Sequence, residues 1–270
     1  MATSSQVLKE TKTTDCKNSS NCITCYLPIE IFIEIAARVS SHSLADLYHL
    51  KLTSKEIINI TDDDNVYEHA CLDKVPFFPD LIPKQDSFLS RCLSSGNLES
   101  LYRQGMKAFF CNSKPYEEGL DIIRMAGQKG HDRSMYAFAI IVLILKCCNN
   151  NARIGLLGVE EFEEALRFLR MLRNQKCVLK CRNDVRSFVS ELSSEMQPYR
   201  LVDQAPTTHL CRRVTCKNTW RLKIGIWFWL THDDDDENDP KMCENCRWDH
   251  ELEYFCAKTL YIDVPYLLYD

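Results

Sequence analysis

The sequence lacks any apolar run long enough to cross a bilayer. Its longest, MYAFAIIVLIL, extends from Met135 to Leu145 and stops at Lys146. A spanning helix needs about 20 such residues, so the run predicts a buried helix instead. The opening stretch MATSSQVLKETKTTD has no apolar h-region, so a secretory leader is not expected. Positive charge is not in excess: 33 Lys and Arg against 38 Asp and Glu leave a net charge of -5. That argues against a protein held mainly on phosphate by its overall charge. No Gly-rich phosphate loop, GxSxG elbow or HExxH pair occurs, so no catalytic class is favoured. Cys/His catalysis has nothing to support it either.

Cysteine, by contrast, is abundant. There are 15, an odd number, and without a leader a disulfide framework is not expected. This places the chain in the reducing interior of a cell, cytoplasm or nucleus. Cys92, Cys111 and Cys147 lie on apolar faces and read as small buried hydrophobes. Cys22 and Cys25 have CxxC spacing with Cys16 nearby, but no complementary pair is close. They fall in residues 1–25, a Ser/Thr/Lys/Asn-rich stretch expected to be a disordered tail.

Four cysteines near the end do form a pattern: Cys211-x4-Cys216 and Cys243-x2-Cys246. Two pairs on turns, separated by a hairpin-sized segment, supply the four thiolates of a tetrahedral zinc. Four thiolates leave no position for water, so the zinc would be structural. The first pair is wider than the usual two-residue gap, which leaves His209, His250 and Cys256 as substitute ligands. The competing reading is a set of core thiols. Between the pairs, TWRLKIGIWFWL suits a strand and HDDDDENDPK a solvated acidic loop. RWDHELEYFC reads as a short helix with Trp248, Leu252 and Phe255 on one side. Residues 201–270 are thus expected to form a small α+β cysteine-rich unit. Arg212, Arg213, Lys217, Arg221 and Lys223, with Trp220 and Trp227, make its first half basic. Against the negative net charge, and without a reading helix, a nucleic-acid contact is not favoured.

Helical patterning begins at residue 27 with LPIEIFIEIAARVSSHSLADLYHLKLTSKEIINI. Pro28 and Glu30 suit a helix N-terminus. Ile29, Phe32, Ile33, Ala36 and Val39 recur at helical spacing, and Ile31 and Ile35 mark a second apolar face. So short a helix cannot bury both faces in its own hairpin, which predicts one side for its domain and one for a partner. Ser43 is the expected cap of a second helix carrying Leu44, Leu47, Leu50 and Ile57. This stretch resembles an F-box: the Leu-Pro opening, the acidic-apolar first helix and the Ser-x-x-x-Leu second helix are similar, and VYEHACLDKVPFFP is similar to the tail that follows the box in plant members. The large aromatic, often Trp, of the family's third helix is missing, with Tyr67 the nearest. The resemblance covers about residues 26–70. It implies a three-helix module that docks a Skp-family adaptor, and through it a cullin, by way of Leu27, Pro28, Ile29, Ile33 and Leu44. Leu47 and Leu50 read rather as core.

Residues 71–86 form a proline-broken linker whose Phe77, Phe78 and Leu81 are too apolar to be freely solvated. Residues 87–200 carry an internal repeat. Leu101, Tyr102 and Gly105 fall on Met135, Tyr136 and Ala139, an offset of 34. Glu118, Leu120, Arg124 and Met125 fall on Glu164, Leu166, Arg170 and Met171, an offset of 46, with NNNARIGLLG as the insertion. Paired helices near that period are the sign of tetratricopeptide-type repeats. The small-x-x-Tyr pattern and AGQKGH resemble the Sel-like variety, with His131 a turn residue. DVRSFVSELSSEM is read as a last helix, capped by Asp184. The fold class expected is mainly α: F-box, α-helical hairpin repeats and the terminal α+β unit. The function implied is a non-catalytic, substrate-recognition subunit of a ubiquitin ligase. The rival is a repeat scaffold with a zinc-bound tail and no ligase role.

Overall fold

A computed structural model describes residues 27–77, 83–110, 116–147, 158–195, 208–212 and 243–259. All regular elements among them are helices. The chain divides into two compact units, Met1–Cys71 and Leu72–Asp270.

In the first unit, α1 (Ile29–His42) starts behind Pro28, whose φ of -55° is already that of a helix entry. α2 (Leu44–Lys51) is capped by Ser43, whose Oγ accepts the Asp46 N–H at 3.2 Å. The expected single helix through Ile57 is in fact divided. Ser54 accepts the Ile57 N–H and opens α3 (Lys55–Thr61), while Leu52 stands out in solvent at 82% exposure. A Ser three residues before an apolar position caps as readily as it continues, and here the cap prevails. Asp63 caps α4 (Asp64–Glu68) in the same way. Ala36, Leu47 and Val66 form the core, with Ile33, Val39, Leu44 and Leu50 packed against it. Tyr67 is buried and donates to Asp62 at 2.6 Å.

The second unit holds α5 (Pro83–Ser94), α6 (Leu98–Phe110), α7 (Tyr116–Gln128), α8 (Asp132–Cys147), α9 (Val159–Asn174), α10 (Val178–Glu195) and α11 (Glu244–Thr259). Three of its turns share one backbone. Residues 96, 130 and 176 have φ of 85°, 95° and 56°. At each, the following N–H reaches back to a carbonyl five residues earlier: Asn97 to Cys92, His131 to Ala126, Cys177 to Leu172. This is a helix stop through a left-handed residue, repeated at intervals of 34 and 46. Both offsets read from side chains are therefore those of the backbone.

Helices α6 and α7 cross with their backbones almost touching. A Cβ on Gly119 would lie 2.5 Å from the Phe109 nitrogen, and one on Gly105 would lie 2.7 Å from Ile123 Cγ1. At the centre, α8 is buried from Ser134 to Leu145 and packs against α7, α9, α10 and α11. Residues 72–77 are strapped to α6 by Arg103, which donates to the carbonyls of Leu72, Val75 and Pro76 at 2.8–3.1 Å. Phe77, read as packed linker, lies under the Arg103 guanidinium and against Phe188.

Two expectations need correction. α10 begins at Val178, not at Asp184; Asp184 lies within it and accepts from Arg133 at 2.8 Å. Among the described residues, the separate terminal α+β unit is not found. α11 is the expected helix, with Trp248, Leu252 and Phe255 buried, but these side chains complete the repeat core. An amphipathic helix with a wide apolar stripe is stabilised by whatever apolar wall is available, and α8 and α10 supply it. The expected strand at 219–230 lies outside the described residues.

Candidate functional site

Two places in the molecule carry chemistry that packing alone does not use. The first is the outer face of α1. Ala36, Ala37 and Ser40 turn inward, whereas Leu27, Ile29, Ile31 and Ile35 are 42%, 54%, 46% and 43% exposed. The two-faced pattern is thus realised: Ile31 and Ile35 share the outer face, while Ile29 keeps the inner azimuth and is exposed because it opens the helix. Pro28 is exposed as well, while Ile33 and Leu44 are half-buried against the unit's own core. Exposed large apolar side chains concentrated on one short helix are what a partner-binding surface presents.

The second place is the N-terminus of α11. Cys211, Cys243 and Cys246 lie with their Sγ atoms all within 4.8 Å of one another, and Cys211 Sγ is 3.6 Å from Cys243 Sγ. Burial, and hydrogen bonding to the other two thiols, push the Cys246 thiol well above its ordinary range. The buried Asp249 carboxylate holds the approach in place, accepting the N–H groups of Leu210 at 2.6 Å and Cys211 at 2.9 Å. Thr208 then ties this segment to the end of α8, its N–H donating to Cys147 O at 3.2 Å. The donor set fits zinc: two thiolates about 2.3 Å from a tetrahedral ion stand roughly 3.8 Å apart. Cys216 lies outside the described residues. The substitutes are not brought to the cluster. His250 is buried among charged neighbours, its pKa lowered to about 4 chiefly by burial. Cys256 belongs to the apolar core, and His209 Nδ1 faces Glu253 at 3.7 Å.

One turn beyond the thiols lies a buried cluster that no sequence motif announces. Glu251 accepts from Tyr136 Oη and from both Nε and Nη2 of Arg182. Burial works against its charge, but Arg182 and Tyr136 outweigh it and keep the carboxyl below its ordinary value. The partners lie 69 and 115 residues away, and only the repeat register links the first two. Arg182 occupies the position that Tyr136 holds one repeat earlier, at the offset of 46.

A depression of about 450 Å³ on the outer side is lined by Arg124, Gln128, Glu160, Glu163, Glu164, Arg167 and Arg170. Its arginines are ion-paired within the chain, Arg124 and Arg167 to Glu164 and Arg170 to Glu244. Arg124 holds α7 to α9 and Arg170 holds α9 to α11.

Comparison with known proteins gives two partial matches. Residues 72–190 match the family model described as plant tetratrico peptide repeats. An Arabidopsis thaliana protein named "Putative F-box protein" is 29% identical over 119 residues, which are 44% of this chain. The chain spans 40% of the length of that relative. No solved structure matches. The second unit is a helical repeat similar to those of plants, and the chain is similar in part to a protein named for an F-box. Among the described residues, no helix is long and apolar enough to cross a membrane.

Proposed function

We propose that the chain is the substrate-recognition subunit of a Skp–cullin–F-box ubiquitin ligase. The observation that carries this is the outer face of α1. It sets Leu27, Ile29, Ile31 and Ile35 in solvent on a helix opened by Leu-Pro, the pattern that resembles an F-box. The partial likeness to a protein of that name supports it. Leu27, Pro28 and Ile29, with Ile31 and Ile35 on the outer face, make the adaptor contacts, while Ile33 and Leu44 fix the angle of α1 from beneath. The chain makes and breaks no bond. The repeats present a protein substrate, and the adaptor and cullin raise its effective concentration beside the charged conjugating enzyme.

Zinc at Cys211, Cys243 and Cys246, with Cys216 as the fourth ligand from its spacing, serves as a structural centre. The sulfur separations support it. A repeat scaffold without a ligase role is the second reading, favoured by the family match covering residues 72–190 and not α1.

The test is capture of a Skp-family adaptor and a cullin by the full chain. The wild type retains both. The chain with Leu27→Ala and Pro28→Ala together loses both while its helical content is unchanged. Equal capture by the folded double variant rejects the assignment of α1, and no capture by the folded wild type leaves the scaffold.

A further inference from the structure

We propose that zinc at the three thiols is a latch that holds α11 against α8 and α10, so that the last hairpin of the repeat stack closes only in metal-loaded protein. This rests on the zinc reading above and goes beyond it, because it gives the site a task.

The geometry is that of a latch. Cys243 immediately precedes α11 and Cys246 lies in its first turn. Cys211 comes from a segment 32 residues earlier that is itself tied to the end of α8 through Thr208. A metal on these sulfurs therefore joins the start of α11 to a strand of chain anchored on α8. What α11 offers in return is mixed. Trp248, Leu252 and Phe255 are buried, and Phe255 meets the Tyr136 ring at 6.3 Å between centroids. Beside them sits the buried Arg182–Glu251 pair, and such a pair sets register more than it adds stability, because desolvation offsets its attraction.

α11 is also far along the chain from α10, which ends at Glu195. Even from the Cys211 anchor the chain must return across 32 residues to reach Cys243, and ordering a connection of that length carries an entropic cost. Metal binding to thiolates gathered only in the folded state supplies folding free energy directly. By contrast α6, α7 and α8 follow one another closely and pack without help from the thiols.

The experiment uses the full chain, purified with zinc, before and after removal of the metal by a chelator, with amide hydrogen exchange followed by peptide. Metal analysis comes first. The result expected is one zinc per chain. On its removal, exchange in residues 244–256 accelerates by about tenfold or more while α6 and α7 are unchanged, as for a separately opening segment. Re-addition of zinc restores protection, and the Cys243→Ser chain resembles the metal-free state. Zinc bound with no change in α11 on removal overturns the latch and leaves the zinc reading intact. Loss of protection in α6 and α7 together with α11 also overturns it, since the metal would then support the whole unit. Absence of zinc overturns both.

Discussion

Helices α1 and α8 are both far more apolar than a surface helix requires, yet they meet opposite fates. α8 is enclosed by four helices, and its residues from Ser134 to Leu145 are shut off from water. α1 packs chiefly against α2, α3 and α4, and its isoleucines at 29, 31 and 35 remain wet. Sequence apolarity alone therefore does not say whether a helix is core or interface. The number of neighbours the chain can bring decides it. Where an apolar face exceeds the supply of neighbours, the remainder is available to another molecule.

The sharpest way to break this comparison is to truncate equivalent side chains on the two helices. Ile140→Ala in α8 should cost about 4 kcal/mol, since the residue is fully enclosed and leaves a cavity. Urea denaturation of the full chain measures it, and a cost below about 1 kcal/mol would mean that α8 is loosely packed. The wall around α8 depends in turn on the α6–α7 crossing. Gly119→Ala drives a methyl into the Phe109 backbone and should cost about 3 kcal/mol by overpacking.

Acid should weaken the second unit through His250. Burial holds this residue neutral, its pKa lowered from 6.5 to about 4. The unfolded chain takes up its proton near pH 6.5 while the folded chain does not. Stability is thus full above pH 6.5 and falls as pH drops towards 4, by roughly 3 kcal/mol in all. Glu99 extends the loss below pH 4.5. Burial would raise its pKa, but the hydrogen bond from His131 and the charges of Arg103 and Arg133 hold it at about 2. Thermal unfolding between pH 7 and pH 4 follows the first effect, and a flat profile would contradict it.

Smaller effects sharpen the picture. Lys176 takes a left-handed conformation that Gly96 and Gly130 take without strain. Lys176→Gly should therefore stabilise by roughly 0.5–1 kcal/mol, net of the added chain entropy of glycine. Smallest of all, Ile31→Asp on the wet face of α1 should change stability by no more than about 0.5 kcal/mol. A large loss there would make α1 an ordinary core helix.

These residues also show what could be read in advance. The first two repeats were legible because Tyr102 and Tyr136 hold matching positions and Gly130 marks the turn between α7 and α8. The third was half hidden. Lys176 stands where glycine would announce the turn, and Arg182 stands where tyrosine would mark the helix, so the start of α10 carries no sequence mark before Asp184. The thiols of Cys211, Cys243 and Cys246 were legible from spacing. The membership of α11 in the core was not, because it depends on Glu251 meeting Arg182 and Tyr136 across long stretches of chain. On α1 both apolar faces show in the sequence, and Ile29 has the spacing of the inner one, but a residue at the first helical position has no preceding turn to bury it.

The central claim is that the wet face of α1 is a docking face. Calorimetric titration of a Skp-family adaptor into the full chain, wild type and Ile31→Asp, tests it most directly. The account predicts saturable one-to-one binding by the wild type and a loss of at least about tenfold in affinity for the variant, as expected when a charge is forced into an apolar contact. Equal affinity for the two folded proteins, or no binding by the folded wild type, would contradict it.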